Sequence, residues 1–172
     1  GQPTSLADWR HCTGSRIGAR RLQASDRRID CIHPMSRVSD KSISLLLQQF
    51  MDCTGHWLIV ADENWQASDW LTAGSHDQRT CTAISNRLEI ARGAKAAGID
   101  CQFNDFDFSA YSDNSFDGVL FRVSKERASS HHVINQSLKL LKPNGKLVLS
   151  GAKNEGVKSY FKQSRKLFRN PV

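Results

Sequence analysis

The chain has 172 residues, of which 39% are hydrophobic and 24% are charged, a composition that suits one soluble globular domain. No apolar run approaches the ~20 residues that a membrane-spanning helix requires. The 5 cysteines lack the CxxC spacing of a zinc site. Because Cys81 and Cys101 lie in or beside apolar runs, we expect buried thiols and a reducing cytoplasm.

The net charge of +7 is unevenly distributed along the chain. Residues 43–121 carry 4 basic and 11 acidic side chains, whereas residues 122–172 carry 12 basic and 2 acidic ones. Such a local excess is expected if one face of the domain meets a polyanion. A well-solvated surface explains the same charge, and composition alone does not separate the two interpretations.

The N-terminal region and the remainder of the chain differ in pattern. Residues 1–38 show little hydrophobic periodicity and are rich in Arg, Ser, Asp and Gly, which predicts a flexible or extended arm. From Ser39 a regular pattern begins, so residues 39–172 are predicted to form one domain. Ser39 or Asp40 caps a first helix that Gly55 ends, and its apolar face consists of Ile43, Leu46, Leu47 and Phe50.

Strands and helices then alternate through the middle of the chain. Residues 56–61 form a compact apolar strand, and a short helix over 65–71 leads into a loop through Gly74. A second strand over 81–85 precedes a helix over 87–97, which Asn86 caps and Gly98 closes. A third strand over 100–103 is followed by an acidic loop over 104–115.

The last third continues the alternation. A fourth strand spans 116–123, and a helix over 130–141 places Val133, Ile134, Leu138 and Leu141 on one face. A tight Pro143-Asn144-Gly145 turn leads into a buried fifth strand over 146–150, and a final helix spans 155–168. Strands that alternate with long helices predict an α/β, doubly wound, mostly parallel sheet of about five strands in three αβα layers.

The segment Leu140-Leu141-Lys142-Pro143-Asn144-Gly145 before a strand resembles the junction that precedes the fifth strand of Rossmann-like class I methyltransferases, which use S-adenosylmethionine. Four further stretches, residues 37–41, 61–65, 121–126 and 150–158, are similar to the N-terminal domain of bacterial rRNA guanine-N2 methyltransferases. Those enzymes carry two tandem copies of the fold, and the first copy is degenerate. Their sheet usually has two more strands, so the resemblance implies a domain truncated at its C-terminus.

The resemblance implies a degenerate cofactor site. The turn after the first strand, residues 62–67, has no glycine and places Trp65 in the path of a cofactor. After the fourth strand, residues 122–126 supply cations where the family's catalytic domains have Asn-Pro-Pro followed by an aromatic residue. We therefore expect no catalytic residue and no cofactor bound by this domain. If the domain is active after all, Asp62, Asn86 and Asp105 are the residues that would bind S-adenosylmethionine.

Cationic residues near the end of the chain are the candidate RNA contacts. In the last helix one side carries Val157, Tyr160, Phe161, Ser164, Leu167 and Phe168, and the opposite side is basic. A row of cations can neutralise successive phosphates, although a solvated face opposite the core has the same pattern. The predicted RNA-binding residues are Lys125, Arg127, Lys153, Lys158, Lys162, Arg165 and Lys166.

The leading hypothesis is a non-catalytic N-terminal domain of an rRNA guanine-N2 methyltransferase, which binds ribosomal RNA and supports a separate C-terminal catalytic domain. The resemblance implies S-adenosylmethionine as the cofactor of the whole enzyme and a cytoplasmic location. One alternative is a divergent but active methyltransferase. Another is a module that pairs with a second protein domain.

Overall fold

The computed structural model describes residues 39–74 and 77–167 of the chain, so the predicted N-terminal arm over 1–38 lies outside the described residues. Five strands, five α-helices and one 3-10 turn follow one another in the described part. In chain order they are α1 Lys41–Phe50, β1 Gly55–Ala61, α2 Ala67–Gly74, β2 Arg79–Ser85, α3 Leu88–Ala96, β3 Asp100–Phe103, β4 Phe116–Arg122, α4 Arg127–Leu140, β5 Leu141–Ser150, the 3-10 turn Lys153–Glu155 and α5 Val157–Leu167.

The strands form one parallel sheet in the order β3-β2-β1-β4-β5. The predicted doubly wound α/β architecture is therefore confirmed. The strand order reverses between β1 and β4, and in an open parallel sheet the crevice at the carboxyl ends of such a pair is where ligands bind. None of the described helices has the length and apolarity needed to cross a bilayer.

The core lies on both faces of the sheet because successive side chains of a strand point to opposite sides. On one face, Trp57 and Ile59 of β1 pack with buried residues of α1, α2 and α3. On the other face, Leu58 and Val60 pack with buried residues of α4 and with Tyr160 of α5. Cys101 is buried as predicted, which raises the pKa of its thiol to about 11, whereas Cys81 is only half-buried.

The first helix follows the prediction at its start but not at its end. Asp40 is the N-cap, and its Oδ1 accepts hydrogen bonds from the backbone amides of Ser42 (2.7 Å) and Ile43 (3.3 Å). Gly55, in contrast, begins β1 with a φ of +89°. The Asp117 carboxylate would lie 2.6 Å from a Cβ at this position, so glycine is required by both backbone and space.

Two predicted helix details are wrong. Asn86 does not cap α3, because Arg87 occupies the N-cap position and makes no side-chain capping bond. In α4 the buried face includes Ser137, and Leu138 is 36% exposed. Neighbouring positions on a helix point about 100° apart, so a helix that buries Ser137 turns Leu138 outward. The small Ser137 side chain satisfies its own hydroxyl by donating to the Val133 carbonyl (2.8 Å).

The fifth strand is longer and more exposed than predicted. It extends over Leu141–Ser150 and includes the predicted turn as an irregularity in the register with β4, where Asn144 has a φ of +66°. Residues 147–150 are half-buried rather than buried. The cause is that β5 is the edge strand of the described sheet, so no further strand covers its outer side.

Candidate functional site

A cleft opens at the carboxyl ends of β1, β2 and β4, where the fold places ligands. It has a volume of about 290 Å³, near the lower limit for small-molecule sites. Phe106 and Phe121 form apolar parts of its wall, and most of the remaining lining is polar or charged. These polar residues include Asp62, Glu63, Asn64, Asn86, Arg87, Arg122, Ser124, Lys125, Glu126 and Glu155.

Arg122 lines the floor of the cleft, and its side chain is only 6% exposed. Its Nε and Nη2 donate to Oδ2 of Asp40 at 3.1 and 2.9 Å. Nη2 also donates to Oε1 of Glu155 at 3.0 Å, and Nη1 donates to Oδ2 of Asp62 at 3.4 Å and to the Val123 carbonyl at 3.1 Å. One buried guanidinium therefore holds three carboxylates, and we call these four residues the Arg122 network.

The network joins four separate segments of the chain. Asp40 caps α1, Asp62 follows β1, Arg122 ends β4, and Glu155 ends the 3-10 turn after β5. The four stretches that carry the family resemblance each contribute one of these residues. Sequence reasoning missed the network, since the residues are up to 115 positions apart and no local spacing indicates that they meet. The sequence did offer one indication of the network: each of the four stretches has a charged residue at or next to the end of a strand, helix or turn.

Burial and the charged partners act in opposite directions on the pKa values of this network. Burial raises the pKa of the Asp62 carboxyl, and hydrogen bonds from Asn64 and the charge of Arg122 offset the rise only in part. Burial would also raise the pKa of Asp40, but the hydrogen bonds from Arg122 and from the Ser42 amide hold it below its usual value. For Arg122, burial alone would lower the pKa, and the surrounding carboxylates raise it. The guanidinium is thus a permanent cation in the cleft.

The residues present do not fit a methyl-donating sulfonium cofactor. Both oxygens of Asp62 are engaged, Oδ1 by the Asn64 amide (3.0 Å) and Oδ2 by the Asn64 side chain (2.9 Å) and Arg122. The turn after β1 has no glycine to admit a close approach of a ligand to the backbone. Arg122 and Glu155 are also paired with each other, so their polar groups are already engaged within the Arg122 network.

Trp65 does not enter the cleft, and that part of the prediction is wrong. Its ring is 2% exposed, stacks on Trp70 with centroids 4.5 Å apart, and packs in the core beside α1 and α3. The indole turns away since the chain after Asn64 folds back into α2 on that face of the sheet. Trp57 and Trp70 are buried in the same core cluster. The Arg122 network, rather than an indole, occupies the floor of the cleft.

The three residues named as a fallback cofactor site are not brought together. Asp62 and Asn86 line the cleft. Asp105 is exposed and lines a neighbouring cavity together with Asp107 and Asp113. The backbone between the two cavities passes through Phe106, which has a φ of +56° and whose carbonyl lies 3.0 Å from Nε2 of His132.

The seven predicted RNA contacts are all exposed, and none forms an ion pair with another described residue. Lys125 lines the cleft, Arg127 begins α4, and Lys153 lies in the 3-10 turn. The other four lie along α5 and form its cationic face, which we define as Lys158, Lys162, Arg165 and Lys166. Such a face can bind a polyanion.

The apolar side of α5 is narrower than predicted. Only Tyr160 and Ser164 are buried, whereas Phe161 is 42% and Leu167 is 50% exposed. Phe168, which was also predicted on this side, lies outside the described residues. The cause is the position of α5 at the edge strand, where α4 and β5 cover one narrow stripe of it.

Comparison with solved structures finds the same fold in methyltransferases. The 16S rRNA N2 G1207 methyltransferase (RsmC) of T. thermophilus, solved in complex with AdoMet and guanosine, matches with a TM-score of 0.61 and 19% identity. The match covers 76% of this chain and 34% of that one, so the chain spans about a third of that protein's length. The complex of the Haloferax volcanii Trm112 methyltransferase activator with a methyltransferase matches with a TM-score of 0.50, 16% identity and coverage of 63% and 50%.

Sequence comparison is consistent with the resemblance. No curated protein gives a significant match. The family model described as "Methyltransferase small domain N-terminal" matches residues 44–172, about three quarters of the chain. The matched region includes most of α1, all five strands and three members of the Arg122 network. The chain therefore belongs to the family of N-terminal domains of small-domain methyltransferases.

Proposed function

We propose that this chain is a non-catalytic methyltransferase-like domain of an rRNA guanine-N2 methyltransferase, in which it binds ribosomal RNA and supports a separate catalytic domain. The observation that carries the proposal is the Arg122 network at the ends of β1 and β4. A guanidinium with three carboxylates occupies the floor of the crevice in which this fold binds its ligands. S-adenosylmethionine is then the cofactor of the whole enzyme and is bound by its catalytic domain.

RNA binding is supported by the cationic face of α5 and by the cations at the cleft. The cationic face extends over residues 158–166, about 12 Å along the helix axis at the usual rise per residue. Side chains that have no carboxylate partner lose no ion pair when they meet phosphate. Each neutralised phosphate releases condensed counterions, so affinity should fall steeply with salt.

Support of a catalytic domain is favoured by the surface next to the cationic face. Phe161 and Leu167 are exposed on α5, and Leu147 and Leu149 are half-buried on the edge strand β5. Exposed apolar side chains beside an open strand edge mark a surface suited to another protein domain. The proposal assigns this surface to the contact with the catalytic domain.

Calorimetric titration with S-adenosylhomocysteine tests the non-catalytic part. We expect no binding in the micromolar range, because Asp62 is already engaged and Arg122 fills the floor of the cleft. A thermal unfolding transition of the same sample shows that the protein is folded. Micromolar binding would instead favour the divergent, active methyltransferase.

Fluorescence anisotropy with a labelled rRNA hairpin tests the RNA part. We expect salt-dependent binding, and the double variant Lys162→Ala/Arg165→Ala should reduce the slope of log affinity against log salt by about two. The matched control is Arg92→Ala/Lys95→Ala, which removes two exposed cations from α3 on the opposite face of the sheet. Equal losses in the two double variants would contradict a contact through α5.

A further inference from the structure

Helix α5 is poorly stabilised by its own sequence. It contains no acidic residue, and its cations include the pairs Lys158/Lys162 and Lys162/Lys166 at the i, i+4 spacing. Like charges at this spacing repel and destabilise a helix. Only Tyr160 and Ser164 are buried against the rest of the domain. Apart from the packing of Tyr160 in the core and its ring contact with His131 of α4, the position of α5 therefore depends on how its first turn is held.

The segment that leads into α5 is fixed to β4 by Glu155. Its Oε1 accepts the hydrogen bond from Nη2 of Arg122, and its Oε2 accepts one from the Ala152 amide at 2.7 Å, which closes the 3-10 turn. The Glu155 side chain is 9% exposed. A Cβ at Gly151 would lie 2.4 Å from Val123, so the start of this segment is packed directly on the residue after β4.

We propose that Arg122 is the positioning residue of the RNA-binding surface: through Glu155 it fixes the direction of α5 and so places the cationic face. The inference rests on the proposed function insofar as the ligand is RNA. Arg122 in the floor of the cleft is then connected, through Glu155, to the cationic face that contacts the nucleic acid. The Arg122–Glu155 ion pair orients the helix that binds the polyanion.

The Arg122 network contains an internal control for this proposal. Asp40 pairs with the same guanidinium at a similar distance, but it holds α1 and not α5. Glu155→Gln and Asp40→Asn each replace one carboxylate by an amide of the same shape. In Glu155→Gln, the amide oxygen of the new side chain can still accept the hydrogen bond from the Ala152 amide. In the same way, the amide oxygen that replaces a carboxylate oxygen of Asp40 can still accept the capping hydrogen bond from the Ser42 amide. A purely structural role of Arg122 predicts the same consequences for both variants.

Amide hydrogen exchange of α5 is the first readout. In Glu155→Gln we expect exchange over residues 157–167 to accelerate by about tenfold or more, since the first turn loses its anchor. In Asp40→Asn exchange of α5 should stay within about twofold of the unmodified chain. Should Glu155→Gln not fold, Glu155→Asp, which keeps the charge and shortens the side chain, takes its place. Equal exchange of α5 in both variants overturns the proposal.

Affinity for the labelled rRNA hairpin is the second readout. Glu155→Gln should weaken binding by about three- to tenfold and lower the salt slope by about one, while Asp40→Asn leaves both unchanged. Faster exchange of α5 without loss of affinity would overturn the link to RNA. If the unmodified chain shows no salt-dependent affinity, the proposed function fails, and the exchange result still decides whether Arg122 positions α5.

Discussion

Two buried arginines at opposite ends of the sheet are accommodated in different ways. Arg122, at the carboxyl end of β4, is surrounded by three carboxylates. Arg79, at the amino end of β2, is equally buried but forms no ion pair with any residue that the structure describes. It donates instead to the carbonyls of Phe50 and Ala73, at the ends of α1 and α2, and lies over the Phe50 ring at 3.7 Å.

The two arginines differ in the groups that compensate their buried charge. Carbonyl groups at helix C-termini carry partial negative charge, so Arg79 completes two helix ends without another ionised group. Arg122 is instead paired with the side-chain carboxylates of three separate segments. The first arrangement joins the ends of α1 and α2 to β2. The second holds together the segments around the cleft, and its removal should leave uncompensated charges.

The largest effect is expected for Arg122→Met at pH 7. Loss of the cation leaves three carboxylates together in a mostly buried site, and breaking a buried pair in this way costs about 3–5 kcal/mol. The free energy of unfolding, measured by urea denaturation, should fall by that amount. A loss below about 1 kcal/mol would contradict a network that stabilises the fold.

The pH dependence of the free energy of unfolding should also distinguish Arg122→Met from Arg79→Met. Burial already raises the pKa of Asp62, and without the cation the charge of Arg122 no longer offsets that rise. Stability that depends on such protonated groups is present at low pH and is lost as the pH rises through the folded pKa. Stability of Arg122→Met should therefore increase between pH 7 and pH 5. Arg79→Met leaves no carboxylate unpaired and should not show this increase.

Features of the fold that leave a local pattern in the sequence could be predicted, whereas contacts between distant residues, such as those of Arg122, could not. Apolar runs and turn residues located all five strands, since the three inner strands are buried on both faces of the sheet and so leave a local pattern. The Arg122 network left none, because its members are distant in the chain and meet only after the sheet has formed. The cationic face of α5 was predictable from helical spacing. The exposure of Phe161 and Leu167 was not, since it depends on α5 lying at an uncovered sheet edge.

The second effect, for Arg79→Met at pH 7, should be smaller. The Phe50 and Ala73 carbonyls lose their donor in a buried site, while a side chain of similar volume remains over the Phe50 ring. Unsatisfied acceptors of this kind cost about 1–3 kcal/mol. Urea denaturation should show a loss within that range, with a similar pH dependence to the unmodified chain. A loss as large as that of Arg122→Met would show that the two arginines are equivalent.

Asp40→Asn tests one arm of the Arg122 network. Asparagine keeps the cap of α1 and removes the charged hydrogen bond to Arg122, so the expected loss at pH 7 is about 1–2 kcal/mol. The pKa of Asp40 is held below its unfolded value, so its contribution is present above that value and is lost as the pH falls through the folded pKa. The difference between the two proteins should accordingly shrink in acid denaturation below about pH 4. A constant difference across that range would contradict the assignment.

Asp62→Asn should have the smallest effect of the series. Asp62 is more buried than Asp40, its contact with Arg122 is longer, and burial raises the pKa of its carboxyl. A raised pKa means that ionisation of Asp62 disfavours the folded state, so its stabilising contribution is complete at low pH and declines as the pH rises through the folded pKa. Asparagine retains the acceptor for the Asn64 amide without the cost of a buried charge. Urea denaturation at pH 7 should find a change of less than about 1 kcal/mol, and a loss equal to that of Asp40→Asn would mean that the Arg122 contact outweighs burial.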